Sequence, residues 1–85
     1  MKIFKYVLPV GDITLSLPAG YKVLSVGQQG GQICVWVLVD TDNFEVPVQF
    51  TVVGTGWDIA DIRDMTFVGT VQSGVFVWHV FVRAL

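Results

Sequence analysis

The chain has 85 residues and a formal net charge of −2, and 53% of its residues are apolar while only 14% are charged. A chain of this length fits one domain with a modest core, and its apolar share exceeds that of ordinary soluble domains, so we expect part of the apolar surface to meet another subunit. The five basic residues are scattered along the chain and form no basic patch, so nucleic acid is not expected as a partner.

Short apolar segments separated by glycine, proline and aspartate predict seven β-strands. The predicted strands cover residues 3–8, 13–17, 21–28, 33–41, 44–53, 66–72 and 75–83. Short strands with frequent turn signals favour an all-β fold, either a small sandwich or a partly open barrel. No linker or long repeat interrupts the chain, so we expect a single all-β domain over residues 1–85.

Three local features refine this prediction. Gly30 and Gly31 join the third and fourth strands, and two adjacent glycines predict a tight hairpin because both can adopt positive φ. Pro47 lacks a backbone N–H, which places the fifth strand at a sheet edge or at a bulge. The segment 57–65 is the only one with helical spacing, and with Asp58 as its N-cap we expect one short helical turn there.

The strands at 33–41 and 75–83 carry apolar side chains on both faces. A strand of that kind has something packed on each side, and in so short a chain we expect one face to meet a second copy. The chain is therefore predicted to form a homo-oligomer, although a small closed barrel that buries both faces within one chain is the alternative. The predicted interface residues are Val35, Val37, Val39, Val75, Val77 and Phe81.

The longest apolar stretches have seven or eight residues, far from the roughly 20 that a membrane-spanning helix needs. The N-terminal residues lack the continuous apolar run of a signal peptide, so no membrane partner and no secretion are expected. Cys34 is the only cysteine, which excludes an intrachain disulfide and is typical of a reducing cytoplasm.

The glycine turn at residues 54–56 is the first candidate ligand site, because such turns let a backbone approach a phosphate closely. It lacks the lysine of a phosphate loop and the third glycine of a dinucleotide fingerprint, so a strand-ending turn with positive φ is the preferred interpretation. Trp57 follows in a loop, where it either stacks on a ligand or covers the end of the core. The predicted ligand-binding residues are Thr55, Gly56, Trp57, Asp58, Arg63 and His79.

His79 is the only histidine and lies among apolar residues of a strand, which favours a buried, hydrogen-bonded structural role. Catalysis would require a partner such as Asp58 or Cys34 beside it. Asp58, Asp61 and Asp64 would share one helical face, but a calcium site spaces its ligands more closely and ends in glutamate. One cysteine and one histidine per chain do not make a zinc site unless two subunits share it. We therefore expect no enzymatic activity, no metal and no cofactor.

Several segments resemble a family of short bacteriophage- and prophage-encoded proteins of unknown function. The matching segments are 3–6, 8–9, 17–20, 23–26, 33–40, 53–56, 68–71 and 76–81. Relatives often carry histidine after the glycine turn whereas this chain has Trp57, so no role that depends on that histidine carries over. The resemblance implies an accessory protein in the cytoplasm of the infected or lysogenic bacterial host.

Together these features predict a non-enzymatic accessory binding protein, acting as a homo-oligomer on a host protein or on a small anionic signalling ligand, including a nucleotide, in counter-defence. A nucleotide needs aromatic stacking and cationic contacts, which Trp57 and the scattered Lys and Arg residues would supply between subunits. The alternative is a structural or assembly component of the virion, whose apolar faces would pack against other phage proteins.

Overall fold

Seven strands form two antiparallel sheets in a computed structural model that describes all residues 1–85. The strands are β1 Lys2–Leu8, β2 Gly11–Pro18, β3 Lys22–Gln29, β4 Gln32–Val39, β5 Glu45–Gly54, β6 Thr66–Ser73 and β7 Phe76–Ala84. Sheet A has the order β1-β4-β3, and sheet B has the order β2-β5-β7-β6. The predicted all-β sandwich is confirmed. No helix of this chain is long and apolar enough to cross a membrane.

The core lies between the two sheets because one face of each strand alternates into it. On β5 the even-numbered residues around Phe50 point inward, and Phe50 itself is fully buried, which stabilises the fold by about 1.5–3 kcal/mol relative to an exposed side chain. The buried apolar residues form one cluster that both sheets share: Leu8, Leu17, Ile33, Val35, Val37, Val39, Val48, Phe50, Val52, Val71, Val80 and Val82.

The valines of β4 belong to this core and not to an oligomer interface. Three of the predicted interface residues have no exposed surface at all: Val35, Val37 and Val39. That part of the prediction is wrong, because strand alternation defines two faces and does not say which one the second sheet covers. The outward face of β4 carries Cys34, Trp36 and Leu38 instead. Val75 is 92% exposed, and Val77 and Phe81 lie half-buried on the outward side of β7.

The β3–β4 hairpin has the predicted glycine turn. Gly30 and Gly31 have φ angles of 60° and 78°, which is the combination that a type I′ turn requires and that matches the twist of the flanking strands. The prediction for this connection is confirmed.

Pro47 lies in a central strand, so its predicted edge position is wrong. β5 pairs with β2 on one side and with β7 on the other. The ladder between β5 and β7 begins at Val48, opposite Ala84, and the Pro47 carbonyl accepts a hydrogen bond from the N–H of Leu85 beyond that ladder. The N and C=O of one strand residue point to the same side, so the nitrogen of Pro47 also faces β7. Its missing N–H therefore lies just beyond the end of the β5–β7 ladder and leaves no gap within it.

The two sheets approach each other closely along β3 and β6. A Cβ at Gly69 of β6 would lie only 2.8 Å from Cγ1 of Val26 in β3, so glycine permits this approach. On the opposite side β1 and β2 are edge strands. Phe4, which pairs with the core residue Val37, remains 39% exposed there. The sandwich is therefore tighter along β3 and β6 than along β1 and β2.

Candidate functional site

The β5–β6 segment, residues 55–65, crosses the outward face of sheet B and contains no helix. Oδ1 of Asp61 accepts a hydrogen bond from the backbone N–H of Arg63 at 3.0 Å, and the two side chains form an ion pair at 2.7 Å. An aspartate that bonds its neighbouring backbone in this way competes with helix formation. A single turn remains, closed by the N–H of Met65 on the carbonyl of Ile62 at 2.9 Å.

The segment begins with a tight turn anchored on β7. The N–H of Trp57 donates to the carbonyl of Gly54 at 3.1 Å, and Gly56 has a φ of 83°, which is typical of a type II turn. The N–H of Thr55 donates to the carbonyl of Val77 at 3.2 Å. Residues 54–56 therefore form a turn that ends β5, with the positive φ at Gly56, which is the interpretation that the sequence favoured.

Trp57 covers the end of the core. Its indole occupies the space beside Gly54, where a Cβ would lie 2.8 Å from Cε2 and Nε1 of the ring. The ring also meets Trp78 edge-on, with centroids 5.2 Å apart and planes at 90°. About half of Trp57 is still exposed (51%), so one side of the ring remains available to a ligand.

A pocket of about 310 Å³ lies between the β5–β6 segment and sheet B. This is at the lower end of the size range of small-molecule sites. Its polar side groups come from three different strands of sheet B: Asp12, Gln49, Thr51 and Arg83. Its apolar wall comes mainly from the segment: Trp57, Ile59, Ala60, Ile62 and Met65. An apolar wall with a few convergent polar groups is the usual composition of a ligand site.

Hydrogen bonds hold the polar side of this pocket in place. Oγ1 of Thr51, a residue only 5% exposed, donates to Oδ1 of Asp12 at 2.7 Å. Arg83 donates through Nε to Oε1 of Gln49 at 3.0 Å and through Nη1 to Oδ2 of Asp64 at 2.6 Å. Arg83 thus connects sheet B to the segment that crosses it.

The pocket lining carries an excess of negative charge. The carboxylates of Asp12, Asp58 and Asp61 contribute to it, whereas Arg83 is its only cation and is already paired with the segment. Hydrogen bonds from the side chain and then from the backbone N–H of Arg63 hold the pKa of Asp61 below its usual value of 3.8. Since Arg63 already pairs with Asp61, Asp12 and Asp58 are the unpaired carboxylates that suit the pocket to a ligand with a positive charge.

His79 lies on the neighbouring part of sheet B between two hydroxyl groups. Its Nε2 is 2.6 Å from Oγ1 of Thr55, and its Nδ1 is 3.0 Å from Oγ1 of Thr70. A hydroxyl both donates and accepts, so either tautomer of the ring is satisfied. Neither Asp58 nor Cys34 bonds the ring, and Cys34 is fully buried in sheet A. No group of three or more His, Cys, Asp or Glu side chains is placed to hold a metal ion.

The structure does not bring the six predicted ligand-binding residues into one site. Trp57 and Asp58 line the pocket. Thr55 bonds His79 outside it, Gly56 forms the turn, and the Arg63 side chain is 91% exposed in its pair with Asp61. Sequence reasoning missed the pocket residues of sheet B: Asp12, Gln49, Thr51 and Arg83. The available signal was the alternation of polar residues along β2 and β5, which marks an outward face without showing what crosses it.

Comparison with curated proteins and with solved structures gives no match. A family model described as a domain of unknown function, DUF7352, matches residues 1–85, so that both sheets and the β5–β6 segment fall within it. The resemblance to a family of unknown function is confirmed at this level, while a bacteriophage origin stays a proposal. The protein belongs to the DUF7352 family.

Proposed function

We propose that this protein is a non-enzymatic binding protein that holds a small, positively charged ligand in the pocket under the β5–β6 segment. The observation that carries the proposal is the pocket itself, with its apolar wall, its fixed polar groups and its three carboxylates. A ligand with an apolar body and an amine would use both kinds of lining at once.

Asp12 is the residue best placed to bind the amine. Its Oδ1 is held by Thr51, while Oδ2 has no hydrogen-bond partner within the chain. A carboxylate oriented by a buried hydroxyl loses little freedom when it binds a cation, and this pre-organisation favours affinity. The indole of Trp57 offers a ring face to the same cation or to the apolar part of the ligand.

An anionic nucleotide, considered from the sequence, fits this lining less well. A phosphate beside these carboxylates would be repelled by like charge, although water screens part of that repulsion because the carboxylates are exposed. Arg83 is engaged with Asp64 and Gln49, and Arg63 does not line the pocket. No free cation of the pocket would offset that repulsion.

Calorimetric titration with tryptamine, phenethylamine and spermidine tests the proposal, with AMP as the anionic comparison. We expect at least one amine to bind and AMP to give no heat. Asp12→Asn should weaken amine binding by about tenfold, because the ion pair with the amine is lost. The matched control is Asp42→Asn in the β4–β5 turn, which should leave binding unchanged. Absence of amine binding, or equal affinity in Asp12→Asn, would overturn the proposal.

We further propose that the protein acts as a bacteriophage accessory protein in the cytoplasm of the host, binding a host protein or withholding a small molecule in counter-defence. The matching segments of the sequence support this origin. The rival function is a component of the virion, which is favoured by three aromatic side chains that are more than half exposed: Phe44, Phe67 and Phe76. Mass spectrometry of purified particles separates the two, because only a virion component would be present in stoichiometric amounts.

A further inference from the structure

The formal charges of this chain are divided between its two sheets. Sheet A carries three lysines and no carboxylate, which makes +3. Sheet B together with the β5–β6 segment carries five carboxylates and two arginines, which makes −3. Asp40 and Asp42 in the β4–β5 turn supply the two remaining negative charges, in agreement with the net charge of −2.

The basic side of the molecule also presents apolar side chains. On the outward face of sheet A, Ile3 is 59% exposed and Val7 is 43% exposed, beside the half-buried Trp36 and Leu38 of β4. The register places Lys5 next to Trp36 and Lys22 next to Leu38 on this same face. We call this surface the sheet A face. It has an apolar centre and cationic surroundings.

The acidic side has the complementary composition. On the β5–β6 segment Trp57 is 51% exposed and Ile59 is 45% exposed. Asp58 lies between these two apolar residues and Asp61 follows them, and both are exposed. Arg63 is paired with Asp61, so Asp58 is the unpaired carboxylate among them. We call this surface the segment face. It has an apolar centre and anionic surroundings.

We propose that the sheet A face of one copy docks on the segment face of a second copy, in a head-to-tail contact. None of the three lysines has an ion-pair partner within its own chain, since both ion pairs of the chain are made by arginines. Lys5 donates only to Oε1 of Gln29. Contact between two sheet A faces would instead bring lysines together, and such like-charge contacts are unfavourable. The charges therefore select a heterologous contact, which repeats into a ring or a chain of copies.

The broad sides of the molecule are large enough to hold such a contact. The molecule measures 39 × 29 × 15 Å, so its broad sides are much larger than its rim. A standard interface covers about 800 Å² on each partner, and a side of 39 × 29 Å is of that order. The contact requires two faces of opposite charge and not an occupied pocket, although Asp58 and Asp61 of the segment face also line that pocket.

The mass in solution at two salt concentrations is the first test. By light scattering we expect a mass above that of the 9.4 kDa chain at about 50 mM salt and a smaller mass at about 500 mM, since salt screens exposed charges. A wild-type protein that is monomeric at both salt concentrations, at every protein concentration measured, overturns the proposal. Binding of an anionic polymer such as heparin to the sheet A face of such a monomer would not rescue it.

Charge reversal on each face is the second test. The double variant Lys5→Glu/Lys22→Glu and the double variant Asp58→Lys/Asp61→Lys should each raise the dissociation constant at least about tenfold. An equimolar mixture of the two should associate again, because each then offers the charge that the other has lost. The control Asp42→Lys makes the same kind of charge reversal in the β4–β5 turn, where the Asp42 side chain makes no hydrogen bond or ion pair within the chain, and should associate as the wild type does.

Circular dichroism of each variant checks that the exposed substitutions leave the fold intact. If the segment-face variant still associates while the sheet A variant does not, the second copy docks elsewhere and the proposal is overturned. If the mixture of the two folded variants fails to associate, charge complementarity between these faces is not the cause of association.

Discussion

Gly54→Ala tests the position of Trp57 and therefore the wall of the pocket. The new Cβ would lie 2.8 Å from Cε2 and Nε1 of the Trp57 ring, whereas ordinary contacts begin near 3.4 Å. The ring would have to move outward and lose part of its edge-on contact with Trp78. Overpacking costs about 1–3 kcal/mol in closed cores, but Trp57 is half exposed and can yield, so we expect a loss of about 1 kcal/mol in the free energy of unfolding.

Gly54→Ala should change the free energy of unfolding in the opposite direction when Trp57 is absent. Gly54 does not have a positive φ, so alanine is compatible with its backbone. In the Trp57→Ala background the clash is gone, and Gly54→Ala should stabilise the protein by about 0.4–1 kcal/mol because it restricts the unfolded chain. The two positions would then be coupled by about 1.5–2 kcal/mol in a double-mutant cycle.

Urea unfolding followed by far-ultraviolet circular dichroism measures all four proteins of the cycle, since this signal does not depend on the indole that is removed. If Gly54→Ala costs the same in both backgrounds, Trp57 does not lie on Gly54, and the placement of Trp57 over the end of the core is refuted. A favourable change in both backgrounds would refute it equally.

Two further substitutions test the core and a titrating side chain. Val37→Asp should abolish folding, because an unpaired charge in a fully buried site costs a large part of the 5–15 kcal/mol that stabilises a domain. The control Val77→Asp, on the outward face of β7, should remain folded when both variants are measured by circular dichroism. Burial, with the charge of Glu45 as the second cause, raises the pKa of Tyr6 above 10.0, so the folded state should be stabilised below pH 10 and lose that stabilisation as pH rises through the raised pKa. Tyr6→Phe should remove this alkaline loss in urea unfolding, and Glu45→Gln should shift the ultraviolet titration of Tyr6 toward 10.0.

The strands could be predicted from the sequence because their signals are local. Alternation along each strand and the glycines at its ends depend on a few neighbouring residues, and the φ angles of Gly30 and Gly31 follow from the turn alone. The choice of the inward face is not local. Val37 and Trp36 alternate on a strand that is apolar on both sides, and only the position of sheet B makes Val37 the core residue.

The pocket could not be predicted because its polar groups are distant in the sequence. Thr51 bonds Asp12 across 39 positions, and Arg83 bonds Gln49 across 34. Both contacts depend on the order of strands in sheet B, which a period of two does not specify. The prediction of a helical turn within residues 57–65 was wrong for the opposite reason, because the deciding contact is very local. Asp61 accepts a hydrogen bond from the backbone two residues on, which is a shorter span than a helical turn.

The two proposals share some of the same carboxylates, and this connects ligand binding with self-association. Asp58 and Asp61 line the pocket and also supply the negative charge of the segment face. A cationic ligand that neutralises them would weaken the attraction to the lysines of a second copy, and by linkage a docked copy would lower the affinity for the ligand by the same factor. Asp12 is held by Thr51 on sheet B, apart from the segment, so it contributes to ligand affinity without belonging to the contact between copies. The division of charge between the sheets would thus make the binding of the cation and the binding of a second copy mutually antagonistic.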